Sequence, residues 1–271
     1  MKKILVPIDF STVAENALNY AIEIAAKFES ELVLYHAYTF NKKFDYDWNF
    51  TEDEQPYVRN LEQKMSATVN KFKEKFIRNG LLIQTRVEEL HVFTLFDRIV
   101  KKHEIDMIIM GSKGASGLEK VIFGSVASGT LDLAKVPVLV VPPNQSYQPL
   151  EQVILAIDLD HVSTNALSPL QKLATKFGTK VTILSINTGG SNKDAHHRVE
   201  SFLKNVETTY HEAPMSKSIN QSINEFIKIN KYDLMCMIRR EKGFFESLFQ
   251  RSITEEQVYN TSIPLLVLPE V

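Results

Sequence analysis

The chain has 271 residues, 44% hydrophobic and 24% charged, which suits two soluble domains of ordinary size. Its 31 basic and 33 acidic side chains leave a net charge of −2, so no basic field directs it to nucleic acid or to an anionic membrane. A single cysteine, Cys236, rules out an internal disulfide, and no apolar run approaches the ~20 residues of a membrane span; we therefore expect a cytoplasmic protein. Cys236 sits inside the apolar run Asp233–Ile238, which reads as a buried strand rather than a reactive thiol site.

In chain order, Ile4–Ile8 is a short apolar run that predicts a buried strand. Ser11 or Thr12 can cap the next segment, with Glu15 completing a capping box on Thr12. Ala14, Leu18, Ala21, Ile22, Ala25 and Phe28 then recur at helical spacing. Leu32–Ala37 predicts a second strand, Tyr57–Asn79 a charged helix stopped by Gly80, and Leu82–Leu90 a third strand. Phe93–His103 reads as a helix, Ile105–Met110 as a strand, Ser125–Lys135 as a helix and Val136–Val141 as a fifth strand. Strands alternating with helices imply right-handed crossovers and a parallel sheet.

Residues 142–149 hold three of the ten prolines and read as a linker, after which Val153–Asp158 repeats the opening pattern. An offset of 149 carries Asp9 to Asp158, Asn16-Ala17-Leu18 to Asn165-Ala166-Leu167, and Lys27-Phe28 to Lys176-Phe177. Further on, an offset of 127 carries Asp106 to Asp233, Ser125 to Ser252 and Pro137 to Pro264. Two registers that each hold over many positions identify a duplication, with domains expected at 1–143 and 152–271 joined by residues 144–151. Pro169 falls inside the second copy's first helix, which must start late or kink.

Five of the ten glycines lie between 111 and 129, with Gly111-Ser112-Lys113-Gly114 directly after a strand and Gly124-Ser125 at the start of a helix. Glycines let backbone N–H groups approach an anion, and a helix start favours phosphate; Lys113 adds a charge and Ser125 a hydroxyl. Read for structure alone, the same stretch is a glycine-rich turn with Ser125 as an N-cap.

The motif Gly111-x-x-Gly114-x9-Gly124-Ser125, set between Asp106–Met110 and Val136–Val141, resembles the universal stress protein family, as does the opening Lys3–Ser11. The resemblance covers the chain as two successive domains, and the loop is the one associated with ATP-binding members. It implies a Rossmann-like α/β fold, with each domain a five-stranded parallel sheet of order 3-2-1-4-5 and helices on both faces. It further implies that Asp9 hydrogen-bonds the adenosine portion, that Ala37 lines the adenine pocket, and that Met110 and Gly111 flank the nucleoside. Gly114, Gly124, Ser125 and Val126 then surround ribose and phosphates, and Pro7 and Lys113 belong to the same set. The bland reading of Asp9 is a helix-capping acid. ATP is the implied cofactor, with Mg²⁺ left open, since no acidic pair for it stands beside the loop. The segment Glu88–Phe93 departs from the family pattern in lacking Gly and Pro.

The 127 offset replaces Gly111 by Ile238, Gly114 by Glu241 and Gly124 by Arg251, so the second copy is expected to hold no ATP. Family domains pair through their last strands, which implies that Leu265–Leu268 covers the edge of Val138–Val141, whether the chain is a monomeric pseudo-dimer or a homodimer. Residues 39–57, with the only tryptophan, Trp48, read equally as a lid or partner-docking loop and as a packed surface loop. His196-His197, with no carboxylate at metal-like spacing, reads as a solvated helix. The resulting expectation is a nucleotide-binding stress-response protein that senses or signals, with no catalytic residue assigned. A slow ATPase, or a scaffold for an unidentified protein partner with a vestigial loop, are the alternatives.

Overall fold

A computed structural model describes residues 1–40, 53–89, 92–113, 123–143, 145–157, 159, 163–187, 193–217, 219–239 and 263–270. The first half runs β1 (Lys3–Pro7), α1 (Thr12–Phe28), β2 (Glu31–Tyr38), α2 (Gln55–Arg78), β3 (Ile83–Glu89), α3 (Val92–His103), β4 (Met107–Gly111), α4 (Ser125–Leu133) and β5 (Val138–Val141). The second half runs β6 (Gln152–Ala156), a 3₁₀ turn (Thr164–Leu167), α5 (Ser168–Phe177), β7 (Lys180–Asn187), α6 (Lys193–Phe202), β8 (Thr208–Pro214), α7 (Ile219–Ile229), β9 (Leu234–Arg239) and β10 (Leu265–Pro269). The inner strands of the first half are apolar on both sides because helices cover both faces of the sheet: Ile4, Val6 and Leu34 pack toward α1, while Leu5, Val33 and Ile108 pack toward α4.

All ten strands form one sheet in the order β3-β2-β1-β4-β5-β10-β9-β6-β7-β8. Each half therefore has the order 3-2-1-4-5, and every neighbouring pair is parallel except β5 with β10. The duplication extends to register: Ile4 opposite Met107 in the first half becomes Val153 opposite Leu234 in the second, which satisfies both offsets at once. The antiparallel pair matches Leu265 with Val140, Leu266 with Leu139 and Val267 with Val138. Leu139 and Leu266 are equivalent residues under the 127 offset, so a pseudo-twofold axis passes between them and the contact is isologous.

Side-chain clasps are duplicated too. The Asp106 carboxylate accepts the N–H groups of Lys2 and Lys3, and Asp233 accepts those of Glu151 and Gln152 at 3.0 and 2.8 Å. Buried Ser30 donates to the Met1 carbonyl, and buried Thr179 to that of Leu150. The proline-rich stretch is fastened to α1: Asn16 Nδ2 donates to the Pro142 and Gln145 carbonyls, Tyr20 Oη donates to Ser146, and the Tyr20 and Tyr147 rings meet edge-on at 5.2 Å. Lys27 of α1 lies 5.8 Å above the Phe177 ring of α5, so the halves also meet through helices.

Candidate functional site

At the carboxyl end of β1 the chain turns sharply. Phe10 adopts φ +63°, a left-handed conformation uncommon for a bulky residue. Asp9 Oδ1 accepts both the Ser11 N–H, at 3.0 Å, and the Ser11 hydroxyl, at 2.5 Å, and Ser11 Oγ in turn accepts Ala14 N–H at 3.2 Å. Ser11 is thus the N-cap of α1 and Thr12 its first helical residue, so the capping box expected on Thr12 is not formed. Glu15 instead pairs with Lys71 of α2 at 2.6 Å. Ser11, not Asp9, caps α1; the Asp9 carboxylate instead fixes the capping serine from the lip of the sheet.

Gly111 ends β4 beneath the first turn of α1. A Cβ here would lie 2.6 Å from Val13 Cγ1 and 3.2 Å from the Val13 carbonyl. The glycine is therefore demanded by packing, and the resulting close approach draws the Asp9–Val13 turn over the end of β4. In the second half Ile238 occupies the equivalent place and is half-buried. The matching helix starts later: Thr12 corresponds to His161, and the 3₁₀ turn Thr164–Leu167 leads into α5, which begins at Ser168 with Pro169 in its first turn. Pro169 marks a late start, not a kink.

Helix α4 opens on Gly124 with φ −64° and ψ 161° and no side-chain cap. Ser125 is the first helical residue, which corrects its reading as an N-cap. Gly124 N–H closes the base of the loop on the Ser112 carbonyl at 2.8 Å. Ser125 and Val126 are exposed, whereas Ala127 is buried. The first N–H groups of a helix have no intrahelical acceptor, so this end is both polar and positive. Its other end is bound to the second half: Arg239 Nη1 donates to the Leu131 carbonyl at 2.6 Å.

Pro7, Asp9, Ala37, Met110 and Gly111 thus lie at the carboxyl ends of β1, β2 and β4, with Lys113, Gly124, Ser125 and Val126 on the adjoining turn and helix. Met110 is buried; Pro7, Asp9, Ala37, Gly111, Lys113 and Gly124 are half-buried. Gly114, Trp48, Asp158, Glu241 and Arg251 lie outside the described residues. The sequence reading missed an aromatic wall on the α1/α2 side of the mouth. There Phe10 and His36 meet at 4.5 Å, Lys64 stands 5.9 Å from the Phe10 ring, Tyr38 and Tyr57 meet edge-on at 5.7 Å, and Tyr38 donates to Glu54 at 2.8 Å. These residues come from three separate segments, so no local motif announces them. By contrast, a cavity of about 130 Å³ lined by Met1, Asp106, Pro137, Lys172 and Leu266 lies away from this mouth, beside the starts of β4 and β5.

His36 Nδ1 is 2.6 Å from the Ile8 carbonyl and so donates to it. Burial, the largest influence, lowers its pKa from the ordinary 6.5 despite that bond. The unfolded chain therefore takes up this proton more readily than the folded one. Its linked stability is intact above about pH 6.5 and falls as pH drops through that value. Urea midpoints at about pH 7.5 and about pH 5 are expected to differ less in His36→Gln than in the parent. Equal differences in both proteins would show that His36 is not responsible.

In the second half, Cys236 is fully buried in β9 and desolvation pushes its thiol pKa up, as befits an inert strand residue. His196-His197 does have a carboxylate neighbour, contrary to the sequence reading. Glu200 Oε2 lies 3.3 Å from His197 Nδ1, because residues three apart share a helix face.

In open α/β sheets ligands bind outside the carboxyl ends of the strands where the order reverses, here between β1 and β4. Topology and this crevice define a tandem, doubly wound α/β protein. Residues 1–142 match the universal stress protein family, and the chain belongs to it. A universal stress protein of Methanocaldococcus jannaschii is 29% identical over 144 residues, covering 52% of this chain and 81% of that protein. A putative universal stress protein of Staphylococcus aureus is 31% identical over 149 residues, covering 52% and 83%. The crystal structure of a universal stress protein from Archaeoglobus fulgidus superposes on 99% of this chain and 96% of that one, with a TM-score of 0.71 at 20% identity. A putative universal stress protein from Pseudomonas aeruginosa covers 99% and 93%, with a TM-score of 0.62 at 15% identity. These two structures show that the shared fold extends over both halves.

Proposed function

We propose that the first half, residues 1–143, binds an adenine nucleotide, ATP, in the crevice between β1 and β4, and that the protein signals through its occupancy. The observation that carries this is the start of α4: a helix opening on glycine, with no side-chain cap, beside a strand that also ends in glycine. Gly111, Gly114, Gly124 and Ser125 would hold the phosphates, with Lys113 adding charge. Asp9 would take the sugar, Val126 would flank the ribose, and Pro7, Ala37 and Met110 would flank the base. The second half, residues 152–271, carries no nucleotide on this reading. Ile238 stands where Gly111 would be needed, and the helix that should reach it begins late.

The first test identifies the small molecules released on denaturing the purified protein, by mass spectrometry, and then titrates the protein with ATP by calorimetry. One nucleotide per chain is expected; two would overturn the assignment of an inactive second half, and none would favour a scaffold with a vestigial loop. Ser125→Glu separates fold from binding. An acid in the first turn stabilises a helix by about 0.3–1 kcal/mol, yet it repels a phosphate at the same place. We expect an unchanged or slightly raised melting temperature, with affinity for ATP reduced about tenfold or more. Unaltered affinity would remove the helix start from the site.

A further inference from the structure

We infer that helix α6 carries a surface site for a divalent transition-metal ion of the zinc type, formed by His196, His197 and Glu200. His196 and Glu200 are four apart and His197 and Glu200 three apart, the two spacings that stack side chains on one face of a helix. One ligand atom from each of the three lies within 4.8 Å of the others. The imidazole rings are 4.0 Å apart at their centroids, and His197 already meets the Glu200 carboxylate at 3.3 Å. The His196 ring is stacked on Tyr210 of β8 at 4.7 Å and 20°, which holds one ligand against the edge strand of the sheet.

Donors around a tetrahedral zinc, with bonds of about 2.0–2.2 Å, stand roughly 3.4 Å apart. The three groups, within 4.8 Å of one another, would have to close by about 1.4 Å at most to reach that spacing. Two imidazoles and one carboxylate suit Zn²⁺, Co²⁺, Ni²⁺ or Cu²⁺, whereas Mg²⁺ and Ca²⁺ prefer all-oxygen sets. Three protein ligands leave at least one coordination position to water. The site lies in the half to which no nucleotide is assigned, and it does not depend on that assignment.

The test uses the full chain without a polyhistidine tag. Calorimetric titration with zinc chloride is expected to show one ion per chain, and Co²⁺ to give visible absorption bands of tetrahedral type. His197 and Glu200 have side-chain exposures of 69% and 33%, so His197→Ala and Glu200→Gln are expected to keep the parent's metal-free melting temperature. His197→Ala should weaken zinc binding about tenfold or more, and Glu200→Gln by a smaller factor. His211→Ala, on β8, should leave it unchanged, and excess Mg²⁺ should not compete. Absence of zinc uptake by the parent, or equal uptake by His197→Ala, would overturn the site.

Discussion

Replacing Gly111 with alanine is expected to destabilise the protein by about 1–3 kcal/mol, the usual cost of forcing an extra methyl group into a packed core. The added Cβ meets Val13 Cγ1 at 2.6 Å, and a β-branched side chain has little freedom to withdraw. The Val13 carbonyl at 3.2 Å is backbone and can yield only if the first turn of α1 moves. Combining Gly111→Ala with Val13→Ala removes the closest contact but not the backbone one, so part of the loss, and not all of it, should return. Urea unfolding of the two single variants and the double variant checks this. A Gly111→Ala midpoint equal to the parent's would show that α1 shifts freely. Such a shift would also displace Asp9 and Ser11, which are tied to the same turn, so the variant should bind the proposed nucleotide more weakly even where it remains folded.

Much of the fold was legible because duplication prints itself twice. The two offsets, read from Asp9 with Asp158 and Asp106 with Asp233, are the ones that the strand registers obey. The sequence pattern located every strand of the first half to within about two residues; for β1, β2, β4 and β5 the reason is burial on both faces, which leaves no polar side to confuse the pattern, whereas the edge strand β3 is half-exposed and mixed in polarity. What stayed hidden depended on contacts between distant segments. Ser30 and Thr179 make the same clasp with different residue types, so identity matching passes over them. Glu15 is drawn from its own helix cap by Lys71, a partner 56 residues away. The left-handed Phe10 and its neighbours His36 and Lys64 come together only when α1 and α2 pack on the same sheet face. At the candidate site, the sequence pointed to Gly111 for an anion's sake, whereas the steric demand of Val13 alone already requires glycine there. The pairing of β5 with β10 came from the family resemblance and not from the pattern, because an apolar edge strand does not name its partner.

That pairing leads to the second large expected effect. Leu139 and Leu266 face each other across the only antiparallel junction in the sheet among the described residues, are 0% and 1% exposed, and belong to one core cluster. Either one changed to alanine should cost about 2–5 kcal/mol, since a buried leucine leaves both lost transfer energy and a cavity. Because they are direct cross-strand neighbours, their effects should not add: a double-mutant cycle is expected to give a coupling of about 0.5–3 kcal/mol. The two single variants should also be nearly equal, because the pseudo-twofold axis gives the two leucines equivalent surroundings from opposite halves. Markedly unequal losses would mean that one half supports the junction more than the other, and zero coupling would mean that the two leucines do not share a core. A third variant, Leu266→Asp, carries the argument further. A carboxylate at this buried position is desolvated opposite Leu139, with Lys172 across the neighbouring cavity offsetting the cost only in part, and we expect the penalty to exceed the loss from a cavity. The junction is the one place where the two five-stranded sheets are joined edge to edge, so we expect this variant to part them first. Unfolding followed by fluorescence and by calorimetry should then change from one transition to two, while a single cooperative transition at lower temperature would show that the halves cannot stand apart.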